Sequence, residues 1–160
     1  MEVVEQVVGF SLRLLKQRKH GTGGMEMREI LFRGKRIDNG EWETGSLVYA
    51  RMGTSEEQVY IADKMTAYHT PVIPDTVSQS IGLCDKNGKK VFEHDIVKAY
   101  DSLDEISFIG VVNYFDASFY ICDTNSVPCY FGEYSFTDFE VEVIGNIYDN
   151  QELMGGEAHG

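Results

Sequence analysis

Short apolar runs broken by Gly- and Asn-containing turns predict a succession of β-hairpins along most of the chain. Glu29 to Ile37 alternates weakly, with Ile30 and Phe32 on one side. Asp38-Asn39-Gly40 then predicts a hairpin turn, because Asn and Gly adopt positive φ at little cost. Trp42 to Ala50 returns as the second strand, residues 51–57 read as a polar loop, and Val59-Tyr60-Ile61 as a short strand. Ala62 to Pro74 contains two Pro, which limit regular pairing and predict an irregular excursion or a sheet edge. Thr76-Val77 opens another ordered segment, and Asp85-Lys86-Asn87-Gly88 is the second clear turn. Val91 to Ala99 reads as one strand, bent at Glu93-His94-Asp95.

Residues 101–107 form an acidic loop. Phe108 to Phe115 and Phe119 to Cys122 flank a tight turn at Asp116-Ala117-Ser118. Residues 123–138 read as loop-rich, with Tyr130 and Phe131 buried. Phe139, Val141 and Val143 alternate with Glu140 and Glu142, the cleanest period-2 pattern in the chain, so this strand has one buried and one wet face. Asn146 to Met154 predicts a turn with one helical turn, and Gly155 to Gly160 should fray. Short strands at this spacing predict a small barrel or a pair of curved sheets.

The N-terminal segment has a different period. Val4, Val8, Leu12 and Leu15 fall on one stripe, which predicts an amphipathic helix over residues 2–19. Glu2 and Glu5 near its start and Arg13, Lys16, Arg18 and Lys19 near its end suit the helix dipole. His20 to Gly24 breaks it as a flexible linker. Three readings stay open: docking on its own domain or a neighbouring subunit, an upstream extension before alternative starts at Met25 or Met27, or contact with a membrane surface. The positive charges follow the apolar stretch, unlike those of a secretory signal.

Composition sharpens this picture. Nine Tyr, nine Phe and one Trp in 160 residues favour a β-rich core. The 42% apolar content can fill an interior, and three Pro without low-complexity tracts exclude general disorder. The net charge of −12 is uneven. Residues 25–98 hold ten basic and twelve acidic side chains, whereas after Lys98 there are twelve acidic and no basic ones. That part repels phosphate backbones, which excludes it as a direct nucleic-acid surface. It reads as a solubilising surface or as a docking face for a basic partner. Cys84, Cys122 and Cys129 are an odd count without CxxC spacing, read as reduced, mostly buried thiols in a cytoplasmic protein. No apolar run reaches the roughly 18 residues that span a bilayer.

Candidate chemistry is sparse. Asp85 to Lys89 has the start of a calcium loop, but Lys89 and Lys90 stand where oxygen ligands are needed, so a plain turn is expected. Glu93, His94 and Asp95 are consecutive; on a strand they would alternate faces and fail to converge. His20 and His159 lie in flexible segments, which leaves His69 and His94 isolated as bases for nucleophilic catalysis. No phosphate-cradling Gly motif occurs. No catalytic, cofactor-binding or metal-binding residue is therefore assigned. Arg28, Arg33, Lys35 and Arg36 form the one basic cluster of the body. With Trp42 and Tyr49 it could make a recognition patch; the favoured reading is that it pairs with the acidic C-terminal part, within the chain or across a subunit contact.

Several blocks in order carry a resemblance. Met27 to Lys35 runs into Asp38-Asn39-Gly40-Glu41-Trp42 and Gly45-Ser46-Leu47. Thr76-Val77-Ser78-Gln79 precedes Gly82-Leu83 and Asp85 to Lys89; Glu93 to Val97 and Val143 to Asn150 follow. This set resembles the YopX family of phage and prophage proteins over residues 27–153. The resemblance implies a mainly β fold with a small SH3-like barrel plus an associated β subdomain. The N-terminal helical extension lies outside it. Together with the reading of the residues it divides the chain into a helix and linker (1–24), an N-terminal β part (25–90), a C-terminal acidic SH3-like part (91–154) and a disordered tail (155–160). It implies self-association in the cytoplasm of a bacterial host, and no known activity. The family usually has Gly where His94 stands, and Gly is common where Ser78 stands; Lys is common at Cys84. A non-enzymatic protein acting by self-association and by binding host or phage proteins is the leading expectation. The alternatives are an acidic decoy for a basic nucleic-acid-binding host protein and an enzyme whose site the sequence hides.

Overall fold

A computed structural model describes residues 29–53, 55–66, 68–101, 106–115, 117–123 and 140–154. The expected helix over residues 2–19, Arg28, the expected burial of Tyr130 and Phe131, Phe139 and the tail expected to fray lie outside them. β1 (Phe32–Lys35) and β2 (Trp42–Ala50) form the first hairpin, with Lys35 opposite Trp42. Gly40 takes the left-handed conformation at φ 73°, and Asn39 Oδ1 accepts the Glu41 amide, so the turn chemistry read from sequence operates. β3 (Gln58–Ala62) pairs with β2, and β4 (His69–Pro71) with β3. β4 is terminal in its sheet, where Pro71 lacks an N–H without breaking a ladder. A short 3-10 helix, Pro74–Thr76, leads to β5 (Ser78–Cys84), which pairs with β1, and β6 (Lys90–Phe92) pairs with β5 across the Asn87-Gly88 turn. The first sheet has the order β4-β3-β2-β1-β5-β6.

The single bent strand expected from Val91 to Ala99 is two strands in two sheets. β6 ends at Phe92, and β7 (Asp95–Asp101) starts the second sheet. His94 has a φ of 64°, a left-handed conformation that no regular strand contains. The carboxylates on either side replace the lost ladder bonds: Glu93 accepts the Gln79 amide, and Asp95 accepts the Phe92 amide. β8 (Ile106–Phe115) and β9 (Ser118–Asp123) form a hairpin with Ala117 at φ 62°, and β10 (Glu140–Asn146) returns beside β7. The order is β10-β7-β8-β9. A 3-10 helix, Gln151–Met154, follows.

The expected barrel does not form; the described residues make two open antiparallel sheets. β9 and β10 end the second sheet on opposite sides. The free edge of β10 is taken instead by the Asp85–Gly88 turn: the Lys86 amide donates to the Val141 carbonyl (2.9 Å), and the Val143 amide to Asp85 Oδ2 (3.0 Å). Apolar faces are buried by packing the sheets together. Ile81 and Val91 of the first sheet meet Val97, Ala99, Val112, Ile121, Val141 and Val143 of the second. Val141 and Val143 are buried and Glu140 is exposed, as the period-2 reading requires. Cys84 and Cys122 form no disulfide, and Cys84 is exposed where burial was expected, because it lies at the end of β5 beyond the packed faces. No helix among the described residues is long and apolar enough to cross a membrane.

Candidate functional site

The described residues richest in candidate chemistry lie where the chain leaves the first sheet for the second. Glu93 and His94 sit on a turn and Asp95 opens β7, yet the three side chains still do not converge. Glu93 holds β5 through the Gln79 amide. Asp95 points inward to Arg33 of β1, with Arg33 Nη2 2.8 Å from Asp95 Oδ1. That contact is ionic but poorly aligned, and the buried Arg33 Nε has no acceptor. The guanidinium lies between two rings, 4.5 Å from the Trp42 centroid and 4.8 Å from that of Phe92. Burial raises the Asp95 carboxyl above the usual range against the pull of Arg33.

His94 faces the other way. Its Nδ1 is 3.1 Å from Ser78 Oγ and 3.0 Å from Tyr148 Oη, and the Tyr148 ring meets it edge-on. Ser78 Oγ lies 3.2 Å from the Thr76 carbonyl, and Tyr148 Oη 2.8 Å from the Asp75 carbonyl. Each hydroxyl has one proton. If both go to the carbonyls, the ring proton sits on Nδ1, shared between two hydroxyl oxygens, and every group is matched. The other tautomer leaves one carbonyl without its donor. Burial, reinforced by Arg33 and opposed by Glu93 and Asp95, lowers the His94 pKa. The backbone of His94 is held as well: its amide donates to the Val112 carbonyl, and its carbonyl accepts from Ile147.

The turn after β10 closes this junction. Tyr148 packs on Trp42 with centroids 5.8 Å apart. Asp149 accepts from Lys35, from Trp42 Nε1 (2.8 Å) and from Asn146 Nδ2 (3.0 Å). Burial alone would raise this carboxyl, but the three donors outweigh it and hold its pKa at about 2. Two members of the basic cluster therefore pair with acids of the C-terminal part within one chain, Arg33 with Asp95 and Lys35 with Asp149. Arg36 pairs locally with Asp38 and Glu43. Tyr49 is exposed away from this cluster, near the far end of β2.

These groups hold the fold together. Ser78 is wholly buried, so its hydroxyl has no path to a substrate, and Asp95 is engaged by Arg33 and cannot orient His94. Asp85 is likewise occupied: Oδ1 accepts the Asn87 and Lys89 amides and Oδ2 that of Val143, which makes the suspected calcium loop a turn capped by its own carboxylate. Among the described residues no group of three or more His, Cys, Asp or Glu could hold a metal ion. His69 stands apart, edge-on to Tyr60. Sequence reasoning assigned no role to Ser78, Tyr148 or Asp149; Asn146 and Asn150 cap their own turn locally, and the reach of Tyr148 and Asp149 to the first sheet is not visible in local sequence.

Comparison with known proteins adds the following. A family model described as "YopX protein" matches residues 31–155. Among solved structures, that of protein EF1440 from Enterococcus faecalis is 21% identical with a TM-score of 0.46, covering 80% of this chain and 99% of that one. That of protein yopX from Bacillus subtilis is 17% identical with a TM-score of 0.46, covering 79% and 98%. No match was found among curated proteins.

Proposed function

The chain belongs to the YopX family, and from that premise we propose that it is a phage- or prophage-derived protein of the bacterial cytoplasm that works without catalysis, by self-association and by binding other proteins. The observation that carries this reading is how the polar side chains are used. Asp85, Glu93, His94, Asp95 and Asp149 are each committed to backbone amides, to a buried cation or to side chains of the other sheet. Large apolar side chains, by contrast, face solvent. Met65 is 95% exposed, Tyr68 is exposed in the same connection between β3 and β4, and Tyr49 is exposed near the end of β2. Charge over residues 25–98 is nearly balanced, so two copies meeting there are not driven apart.

Multi-angle light scattering on the full chain tests self-association. The expected result is a mass that is a multiple of 18.1 kDa. A single 18.1 kDa species at tens of micromolar overturns it. A second reading, an acidic decoy for a basic nucleic-acid-binding host protein, is favoured by the absence of Lys and Arg after Lys98.

A further inference from the structure

Asn-Gly occurs twice in the chain, at Asn39-Gly40 and Asn87-Gly88, and each pair lies in an exposed turn. The pair is thermolabile for a chemical reason. Glycine has no Cβ, so its amide nitrogen is open to the side chain before it. That nitrogen loses its proton and attacks the Asn Cγ. A new C–N bond forms, the Cγ–Nδ2 bond breaks, and the side-chain nitrogen leaves as ammonia with the proton. The five-membered succinimide that remains is opened by water at one of its two carbonyl carbons, giving aspartate or isoaspartate. One water is consumed, one ammonia is released, and no redox partner is needed.

The fold treats the two pairs differently. Both Gly amides donate to a carbonyl at 3.0 Å, Gly40 to Arg36 and Gly88 to Asp85, so the cost of freeing the nucleophile is shared. The side chains under attack are not alike. Asn39 is held at both ends of its amide, with Oδ1 accepting from the Glu41 backbone (2.9 Å) and Nδ2 donating to Glu41 Oε2 (2.8 Å). The Asn87 side chain has no partner among the described residues, and only its backbone amide is bound, to Asp85 Oδ1 (2.8 Å). Charge favours the same site, because the reaction passes through an anion. Around Asn39, Asp38, Glu41 and Glu43 outnumber Arg36. Asn87-Gly88 is flanked by Lys86 and Lys89, which counter Asp85 and Glu142, so the anion there meets less repulsion.

Asn87 also stands where a change of backbone length matters. Asp85 Oδ1 accepts the amides of Asn87 (2.8 Å) and Lys89 (2.9 Å), on either side of the Asn87-Gly88 peptide, while Oδ2 accepts that of Val143 in β10 (3.0 Å). Isoaspartate routes the chain through Cβ and Cγ and adds one carbon between the first two amides. One carboxylate oxygen then no longer reaches both, and the group that caps the β10 edge is displaced. Aspartate at the same position adds the charge but leaves the backbone length unchanged.

We propose that Asn87 is a site of spontaneous deamidation, and that its conversion to isoaspartate releases the Asp85 turn from the edge of β10. This goes beyond the function proposed above and holds whether or not the chain self-associates.

The full chain is incubated in mildly alkaline buffer and sampled over days. Peptide mapping by mass spectrometry follows the gain of one mass unit at each Asn, and chromatography separates isoaspartyl from aspartyl peptides. Asn87 should convert about tenfold faster than Asn39, and Asn87→Gln should abolish the fast event, because closing a larger ring is slow. Glu41→Ala removes both a charge and an acceptor beside Asn39 and should raise the Asn39 rate about threefold. In the isoaspartyl fraction, isolated by anion exchange, the Val143 amide should exchange its hydrogen about tenfold faster than in fresh protein, with Val97 unchanged. Asn87→Asp should keep Val143 protected, since it supplies the charge without the extra carbon. Conversion of Asn39 as fast as Asn87 overturns the proposal, as does an Asn87 that stays intact while the urea-unfolded chain converts. An Asn39 rate unmoved by Glu41→Ala removes the structural basis for the choice of site. Full protection of Val143 in the isoaspartyl fraction, or its equal loss in Asn87→Asp, overturns the release of β10.

Discussion

Ser78 Oγ lies 3.1 Å from His94 Nδ1, so the residue at the break between the two sheets is held by a buried hydroxyl at the start of β5. His94 takes the left-handed backbone, with φ at 64°, and supports it with the ring's contacts to Ser78 and Tyr148. Strain is then offset by side-chain interactions across sixteen residues on one side and fifty-four on the other.

Comparison of two variants isolates that strain. His94→Ala and His94→Gly both remove the ring, but only Ala keeps a Cβ in the left-handed region. His94→Gly should be more stable than His94→Ala by about 1 kcal/mol in urea denaturation. His94→Ala itself should fall about 2 kcal/mol below wild type through the lost hydrogen bonds and ring contact. Equal stability of the two variants would mean that the turn relaxes and stores no strain.

The same residue sets a pH dependence. The folded pKa of His94 lies below the ordinary histidine value of 6.5, chiefly because burial disfavours the cation. Between the two values the unfolded chain binds the proton and the folded chain does not, so folding stability increases with pH in that window. The contribution is fully present above pH 6.5 and is lost as pH falls through the folded value. Asp95, raised by burial, acts in the opposite sense, so the readout is the difference between wild type and His94→Gly. That difference should shrink as the solution is acidified from neutrality, measured by urea midpoints at successive pH values. A constant difference would mean that the ring titrates alike folded and unfolded.

How much of this was legible in sequence follows from distance along the chain. Asn39-Gly40 and Asn87-Gly88 gave their turns because the requirement for positive φ is local. Val141 and Val143 gave a strand because burial on one side repeats every second residue. Pro71 marked an edge because it lacks a donor. The bend at Glu93-His94-Asp95 was legible, but its separation of two sheets was not, because Val112, Ile147, Ser78 and Tyr148 hold His94 from elsewhere in the chain. The open sheets were missed for a related reason. The edge of β10 is met by the Asp85 turn through contacts fifty-five and fifty-eight residues apart, Lys86 to Val141 and Asp85 to Val143.

Ala117 offers a gain in stability. It takes φ 62° in the connection between Phe115 and Ser118, where Gly is the favoured residue. Ala117→Gly should stabilise the fold by about 0.5–1 kcal/mol, the relief of strain exceeding the entropy that Gly loses on folding. The urea midpoint should rise with an unchanged slope. A lower midpoint would show that the hairpin tolerates Ala without strain.

Asp85 carries a larger load. It accepts three backbone amides, those of Asn87 (2.8 Å), Lys89 (2.9 Å) and Val143 (3.0 Å), and these bonds outweigh burial to lower its pKa. Asp85→Ala should cost about 3 kcal/mol, roughly one for each amide left unmatched. Hydrogen exchange localises the effect: the Val143 amide should lose protection more than that of Val97, which pairs inside the sheet. Equal loss at both would make Asp85 a general contributor and not the cap of the β10 edge.

Asp149 tests the closure of the two sheets through the chain's one Trp. Its carboxylate, about a third exposed, holds Lys35 and Trp42 Nε1 and has a pKa of about 2. After discounting for solvent screening, Asp149→Asn should cost about 1 kcal/mol at neutral pH. The unfolded carboxyl titrates near 3.8, so this difference should vanish as pH falls from there to about 2, where the native carboxylate takes its proton. Trp42 emission reports the same event directly, because protonation weakens the acceptor of its indole N–H. The native chain should show an emission change with a midpoint near 2 that is absent in Asp149→Asn, while added salt should move that midpoint upward by screening Lys35. A midpoint near 3.8 would mean that Asp149 is solvated and that Trp42 and Tyr148 hold the sheets together by ring packing alone.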